Sequence, residues 1–221
     1  MKLLRAELRQ IVQQQMSQDP AHDIAHLDRV WANAHRIARD EGNANLRVLM
    51  AAAYLHDLVN LPKDAPNRAE ASRMSAKAAV PILTDLNYTA EEIKAAQHAI
   101  AAHSYSAQIP PETPEAVILR DADRLDALGA IGIARTFMVA GTMDRGLADP
   151  NDPFAANRPL DDQMWSIDHW HLKLLQLPKE MATAKGRKIA NKRARLMLAY
   201  LTQLSKEMDT ELPDYWSELL Q

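Results

Sequence analysis

Residues 46–57 read LRVLMAAAYLHD, a helix-forming run that is apolar nearly all round and closes on a histidine beside an aspartate. A helix without a polar face is normally buried on every side. Asn45 stands where an N-cap belongs, so a helix is predicted over about 46–59. His56-Asp57 then sits at the end of a core helix. A single core histidine is usually structural. An imidazole and a carboxylate buried side by side cost free energy unless they are paired or share a cation.

The flanking sequence has the same helical character. Only six glycines and two phenylalanines occur in 221 residues, while Ala, Leu, Met, Arg, Lys, Glu and Gln abound. No clear alternating strand is present. Leu3, Leu4, Leu8, Ile11 and Val12 make one face of a first helix. Leu27, Val30, Trp31, Ala34, Ile37 and Ala38 line a second, about 23–41, stopped by Gly42. A fourth, about 68–86, contains Pro81, which should kink it or split off its last turn. Thr89 with Glu92 is a capping box for a fifth, about 90–104. Thr113-Pro114 opens a sixth, about 114–128, which Gly129 and Gly132 interrupt before it resumes to Val139. Residues 141–162, GTMDRGLADPNDPFAANRPLDD, form the longest loop, a length that is often functional. Helices are predicted at about 163–176 and 179–209, with a short one from Pro213.

These features describe an all-α chain: one helical domain over 1–221, with a core of about 20–140 and a loop and helical extension over about 141–221. Cysteine is absent, which excludes disulfides, thiolate metal sites and cysteine nucleophiles. The net charge of −3 gives no basic field for nucleic acid. The basic run over 185–195 reads as a solvated helix face. No run approaches the about 18 apolar residues of a membrane span, and the N-terminus lacks a signal-peptide core. The expected location is the cytoplasm.

Two further segments join His56-Asp57. In His22-Asp23-Ile24-Ala25-His26 the two histidines stand one turn apart at the start of the second helix. Arg120-Asp121-Ala122-Asp123-Arg124-Leu125-Asp126 puts Asp123 and Asp126 on one face of the sixth. Asp121 and Asp123 point about 200° apart and cannot both face one ion. Taken alone, this acidic segment fits a solvated, salt-bridged face as well as a site. Two imidazoles and two carboxylates suit Mn²⁺, Fe²⁺, Co²⁺ or Zn²⁺, with positions left for water and phosphate.

The order His26, His56-Asp57, Asp123 resembles the H…HD…D signature of the HD superfamily. Residues 56–63 (HDLVNLPK), 67–72 (NRAEAS), 102–104 (AHS) and 121–135 (DADRLDALGAIGIAR) are similar to its YedJ/YpgQ-like branch, as are Asp149-Pro150, Asp152-Pro153 and Arg158. The resemblance covers roughly 20–205. It implies an HD-type helical bundle with a C-terminal extension. It also implies one divalent ion, Mn²⁺ before Mg²⁺, Fe²⁺, Co²⁺, Ni²⁺ or Zn²⁺, held by His26, His56, Asp57 and Asp123, with Asp121 the competitor for the last place. The implied activity is hydrolysis at phosphorus of a nucleotide, with triphosphate split to monophosphate and pyrophosphate as the leading expectation. A nucleotide-binding regulatory module with a weak or inactive site is the alternative.

Departures narrow this reading. Deoxynucleoside-monophosphate hydrolases of the superfamily carry a glutamate where Asn60 stands, and alarmone hydrolases a Glu-Asp pair where Asn60-Leu61 stands. The GYP signature of the cyclic-dinucleotide enzymes is absent. The expected catalytic residues are Lys63, Arg68 and Asp126, to answer phosphate charge and position water. Arg124, His98 and His103 are expected to meet substrate. Each has a plainer role open to it: a solvated lysine, an ion-paired arginine or acid, a core histidine. Trp165, Trp170 and His169 read as core rather than a base-stacking platform. The expected partner is a small phosphate substrate, without membrane or specific nucleic acid, in a chain able to form a homodimer.

Overall fold

The computed structural model describes residues 1–15, 23–61 and 67–220. Among them are eleven α-helices, two 3₁₀ turns and no strand. The fold is all-α. Two compact units divide it, Met1–Asp123 and Arg124–Gln221. The boundary between the units falls within a helix.

The first unit is built around α3. Helices α1 (Lys2–Gln15) and α2 (Ile24–Glu41) precede α3 (Leu46–Leu55), and α4 (Ala71–Asp85) and α5 (Ala90–His103) follow. All four pack on α3, and Val48 through Leu55 are buried without exception. Each large apolar side chain so buried contributes about 1.5–3 kcal/mol. α3 ends at Leu55, earlier than expected. His56 is its C-cap and Asp57 already lies in the following turn, so the pair projects from the helix end instead of from its side.

The capping residues act as their chemistry predicts. Asn45 Oδ1 accepts from the Arg47 and Val48 amides, and the Thr89/Glu92 box is complete. Gly42, at φ 74°, ends α2 in the left-handed conformation that a side chain resists. Pro81 does not split α4, which runs unbroken to Asp85. Lys77 and Pro81 are both exposed, so water can take the carbonyl that Pro81 leaves without a donor. Residues 68–70 form a separate 3₁₀ turn. An ionic knot anchors α1. Arg5 donates to the Tyr54 hydroxyl (2.8 Å), and Arg5 and Arg9 donate to Asp28 (2.9 and 3.1 Å). Tyr54 also donates to Asp28 (2.6 Å), and burial with this bond pushes its phenol up to about 12.

α6 (Pro114–Leu125) carries the chain into the second unit. It stops three residues early, and α7 (Gly129–Thr142) starts afresh at Gly129. The region 143–167 is a loop whose turns are closed by carboxylates. Asp149 caps the Asn151 and Asp152 amides, Asp152 those of Ala156 and Asn157, and Asp161 those of Gln163 and Met164. Gly146 lies under Trp165, where a Cβ would come within 2.5 Å of the ring. The helix expected over 163–176 is therefore only α8 (Asp168–Leu172) and a 3₁₀ turn at Leu174–Gln176, because Met164 and Ser166 pair with Gly146 instead. The helix expected from 179 is divided into α9 (Leu177–Glu180) and α10 (Ala184–Glu207), with Thr183 capping the second. α11 (Tyr215–Glu218) closes the chain. No single helix among the described residues is long and apolar enough to cross a membrane.

Candidate metal centre

Three helix ends converge in the first unit. His26 lies in the first turn of α2, and its amide donates to the N-cap Asp23 at 2.8 Å. His56-Asp57 follows directly on the end of α3, and α5 ends at His103. Asp123 enters from α6. Asn33, buried two turns after His26 on α2, donates to the Ala122 carbonyl at 3.4 Å and ties Asp123's segment to that helix.

The side chains meet through acceptor atoms. His26 Nε2 lies 3.5 Å from Asp123 Oδ1 and 3.7 Å from Asp57 Oδ2. His56 Nε2 lies 3.4 Å from Asp57 Oδ2 and 3.8 Å from Asp123 Oδ1. The other ring nitrogen of His56 faces the Ala53 carbonyl at 3.0 Å. A carbonyl only accepts, so Nδ1 carries the proton and Nε2 presents a lone pair. That atom is fully buried without a hydrogen-bond partner, and what it faces are carboxylate oxygens, which also accept. Two acceptors set against each other are stabilised by a cation between them. Donors of one ion bound at about 2.0–2.2 Å lie about 3–4.3 Å apart. All four separations fall in that range, so the residues fit a divalent ion. Asp123, not Asp121, faces this point; Asp121 is wholly buried.

His103 lies on the other side of Asp57. Its Nε2 is 3.7 Å from Asp57 Oδ1, its ring meets His56 edge-on at 4.7 Å, and its Nδ1 lies 2.6 Å from the Ile100 carbonyl. Burial, reinforced by the His56 ring, lowers its pKa. The ligand atoms of His26, His56 and Asp123 lie within 4.8 Å of one another, and so do those of His56, Asp57 and His103.

The remaining expected residues are placed differently. His98 Nε2 accepts the Glu112 amide at 2.9 Å and fixes the α5–α6 connection. Arg68 donates to Asn60 Oδ1 at 2.9 Å and to the Leu61 carbonyl, so it braces the segment after Asp57. In the second unit Arg124 pairs with Glu180 at 3.1 Å, and the buried Asp126 with Arg135 at 2.7 Å. Lys63 and His22 lie outside the described residues. Asn33 and the Ala53 and Ile100 carbonyls were not expected in the site. Asn33 had a signal, since it falls seven residues after His26 on the same helix face.

The HD domain family matches residues 23–128, which contain every residue of this cluster. The Bacillus subtilis protein YpgQ is 31% identical over 191 residues, 85% of this chain and 84% of its own. The chain belongs to the HD-domain superfamily. Among solved structures, YpgQ in complex with ADP superposes with a TM-score of 0.73 at 32% identity, covering 92% of this chain and 94% of that one. An HD-superfamily hydrolase from Bacillus thuringiensis gives 0.72 at 31%, covering 95% and 99%.

Proposed function

We propose that this chain is a divalent-metal-dependent phosphohydrolase that acts on nucleotides and splits nucleoside triphosphates into monophosphate and pyrophosphate. One observation carries the hydrolase reading: the His56 Nε2 lone pair, buried without a hydrogen-bond partner and set against two carboxylates. His26, His56, Asp57 and Asp123 hold the ion, with Mn²⁺ the first candidate. Bound there, the ion polarises phosphate and lowers the pKa of water toward neutrality.

The chain's own groups supply the rest. Asp57 and Asp123 together neutralise the ion's two charges, so an entering phosphate needs further cations. Lys63 is proposed to meet that charge, and Arg68 holds Asn60 and Leu61 by hydrogen bonds. Asn60 has an amide without useful basicity, which leaves no side-chain base at the position other branches give to glutamate. A triphosphate presents more negative charge to these cations than a monophosphate, and pyrophosphate is the better leaving group. The ADP complex of YpgQ supports a nucleotide as ligand.

The test is a screen of metal-stripped protein against nucleoside mono- and triphosphates with Mn²⁺, Mg²⁺, Co²⁺, Ni²⁺ and Zn²⁺, with phosphate and pyrophosphate read separately. The expected result is pyrophosphate from triphosphates and little phosphate from monophosphates. Phosphate from monophosphates overturns the substrate class. Nucleotide binding without turnover under any metal overturns the enzyme in favour of a regulatory module.

A further inference from the structure

α10 is the most basic stretch of the chain. Between Met181 and Lys206 lie seven lysines and arginines and no carboxylate, in a protein whose net charge is −3. The helix has two faces. Ala190, Ala194, Met197 and Leu201 are buried on one. Arg193 also turns inward, with its stem against Gly129 and an N–H given to the Leu125 carbonyl. Lys188, Lys192 and Arg195 are exposed on the opposite face, at the i, i+4, i+7 spacing that lines one side of a helix. Cations elsewhere on the surface stand beside acids: Arg5 and Arg9 share Asp28, Arg47 meets Glu92, and Arg73 meets Glu70. Lys188, Lys192 and Arg195 meet no carboxylate among the described residues. Like charges one turn apart repel. A face that gathers three of them and leaves out every acid suits a partner that brings the negative charge.

We infer that this face of α10 binds the phosphate backbone of a nucleic acid without reading its sequence. From Lys188 to Arg195 the three charges span about 10 Å of helix. One strand of nucleic acid carries a charge about every 3.4 Å along its axis, so the stripe meets about three phosphates. Two of its three cations are lysines, which meet phosphate as point charges. Lys188, Lys192, Arg195 and the exposed Ala199 that continues the stripe include no aromatic ring on which a base could stack. Backbone charge is then what the face recognises. An anionic membrane fits less well. A helix that lies on a bilayer must put its apolar face into it, and the apolar face of α10 is already buried in the protein. The inference does not depend on the chemistry proposed for the metal centre.

The experiment measures fluorescence anisotropy of labelled single-stranded RNA and DNA, each a mixed-sequence strand of about 20 nucleotides, with full-length protein in EDTA, so that the metal centre neither holds nor cuts the strand. RNA and DNA should bind within about threefold of each other, since the stripe offers charge alone. Affinity should fall about 20-fold between 50 and 200 mM salt, the slope for about three neutralised phosphates. The triple variant Lys188→Gln, Lys192→Gln, Arg195→Gln should bind at least tenfold more weakly at 50 mM salt. These side chains are exposed, and circular dichroism should show the wild-type fold. A control with the same loss of charge on exposed lysines of the first unit, Lys2→Gln, Lys77→Gln, Lys94→Gln, should bind within about twofold of wild type. No binding at 50 mM salt overturns the inference. So does a control that loses as much as the α10 triple, which would make net charge the cause. A strand preference far above threefold overturns recognition by charge alone. Binding to vesicles of phosphatidylglycerol and phosphatidylcholine, but to neither strand, would assign the face to a membrane instead.

Discussion

His56 and Asp168 are both fully buried polar groups, one in each unit, and the chain surrounds them in opposite ways. Asp168 is saturated with donors. Arg158 gives it two N–H groups (2.5 and 3.0 Å) and Asp161 a backbone amide (2.7 Å). In return Asp168, by its hydrogen bonds, raises the Arg158 pKa above its already high value. His56 is satisfied on one nitrogen and opposed on the other, where acceptors meet acceptors. Burial alone does not separate the two. The balance of donors and acceptors does: a closed balance is a brace for the fold, and an open one is a place for something the chain does not supply.

The largest effect should follow from removing a ligand on the open side. His56→Ala and Asp57→Ala should each weaken metal binding by more than about 100-fold and reduce turnover to background, as read by elemental analysis after gel filtration and by the pyrophosphate assay. Full metal occupancy in both variants would erase the contrast. Close behind comes the choice between neighbouring carboxylates. Asp123→Asn should lose the metal, because its Oδ1 faces both ligand imidazoles, whereas Asp121→Asn should retain it. The reverse outcome would move the centre to the other face of α6.

On the closed side the response should be structural. Arg158→Ala leaves Asp168 buried with a single amide donor. Breaking such a pair costs about 3–5 kcal/mol. Urea denaturation should show that loss, with metal content of the folded protein unchanged. A loss under about 1 kcal/mol would mean that water replaces Arg158 and that Asp168 is not a brace.

Most of the first unit was legible because its signals are local. The all-round apolarity of 46–55, the Asn45 and Gly42 caps and the Thr89/Glu92 box act within a few residues of themselves. The residues that meet at the candidate metal centre stood out by order and spacing. Contacts between distant segments were not. His103 reads as one more histidine on an Ala-rich helix until the ends of α3 and α5 are brought together. His98, identical in type and five residues earlier, caps a backbone amide instead. In the second unit the helical pattern over 163–176 lost to tertiary pairing: Asp161 turns the chain, and Gly146 takes the hydrogen bonds of Met164 and Ser166. Carboxylates in that loop, legible only as loop composition, are its turn caps.

The smallest effect tests whether the contrast belongs to the units or to the supply of donors. Asp28 lies in the same unit as His56, yet it is ringed by the Tyr54 hydroxyl, Arg5 and Arg9. Partial burial alone would raise its pKa. The hydrogen bonds from those three groups outweigh burial and set it below the ordinary carboxylate value. A depressed folded pKa gives stability that is present above the unfolded value, about 4, and is lost as pH falls through the folded one. Asp28→Asn keeps an acceptor but turns an amide N–H toward a donor. It should therefore lower stability at pH 7 by about 1 kcal/mol or less, since the arginines are substantially exposed and screened. The deficit should shrink as pH falls below about 4. It should also shrink in about 1 M salt, where the screening length falls to about 3 Å. Metal binding should not change. A pH-independent deficit would show that Asp28 acts through shape rather than charge. A change in metal affinity would show that the donor-rich knot and the acceptor-rich centre are not separate systems.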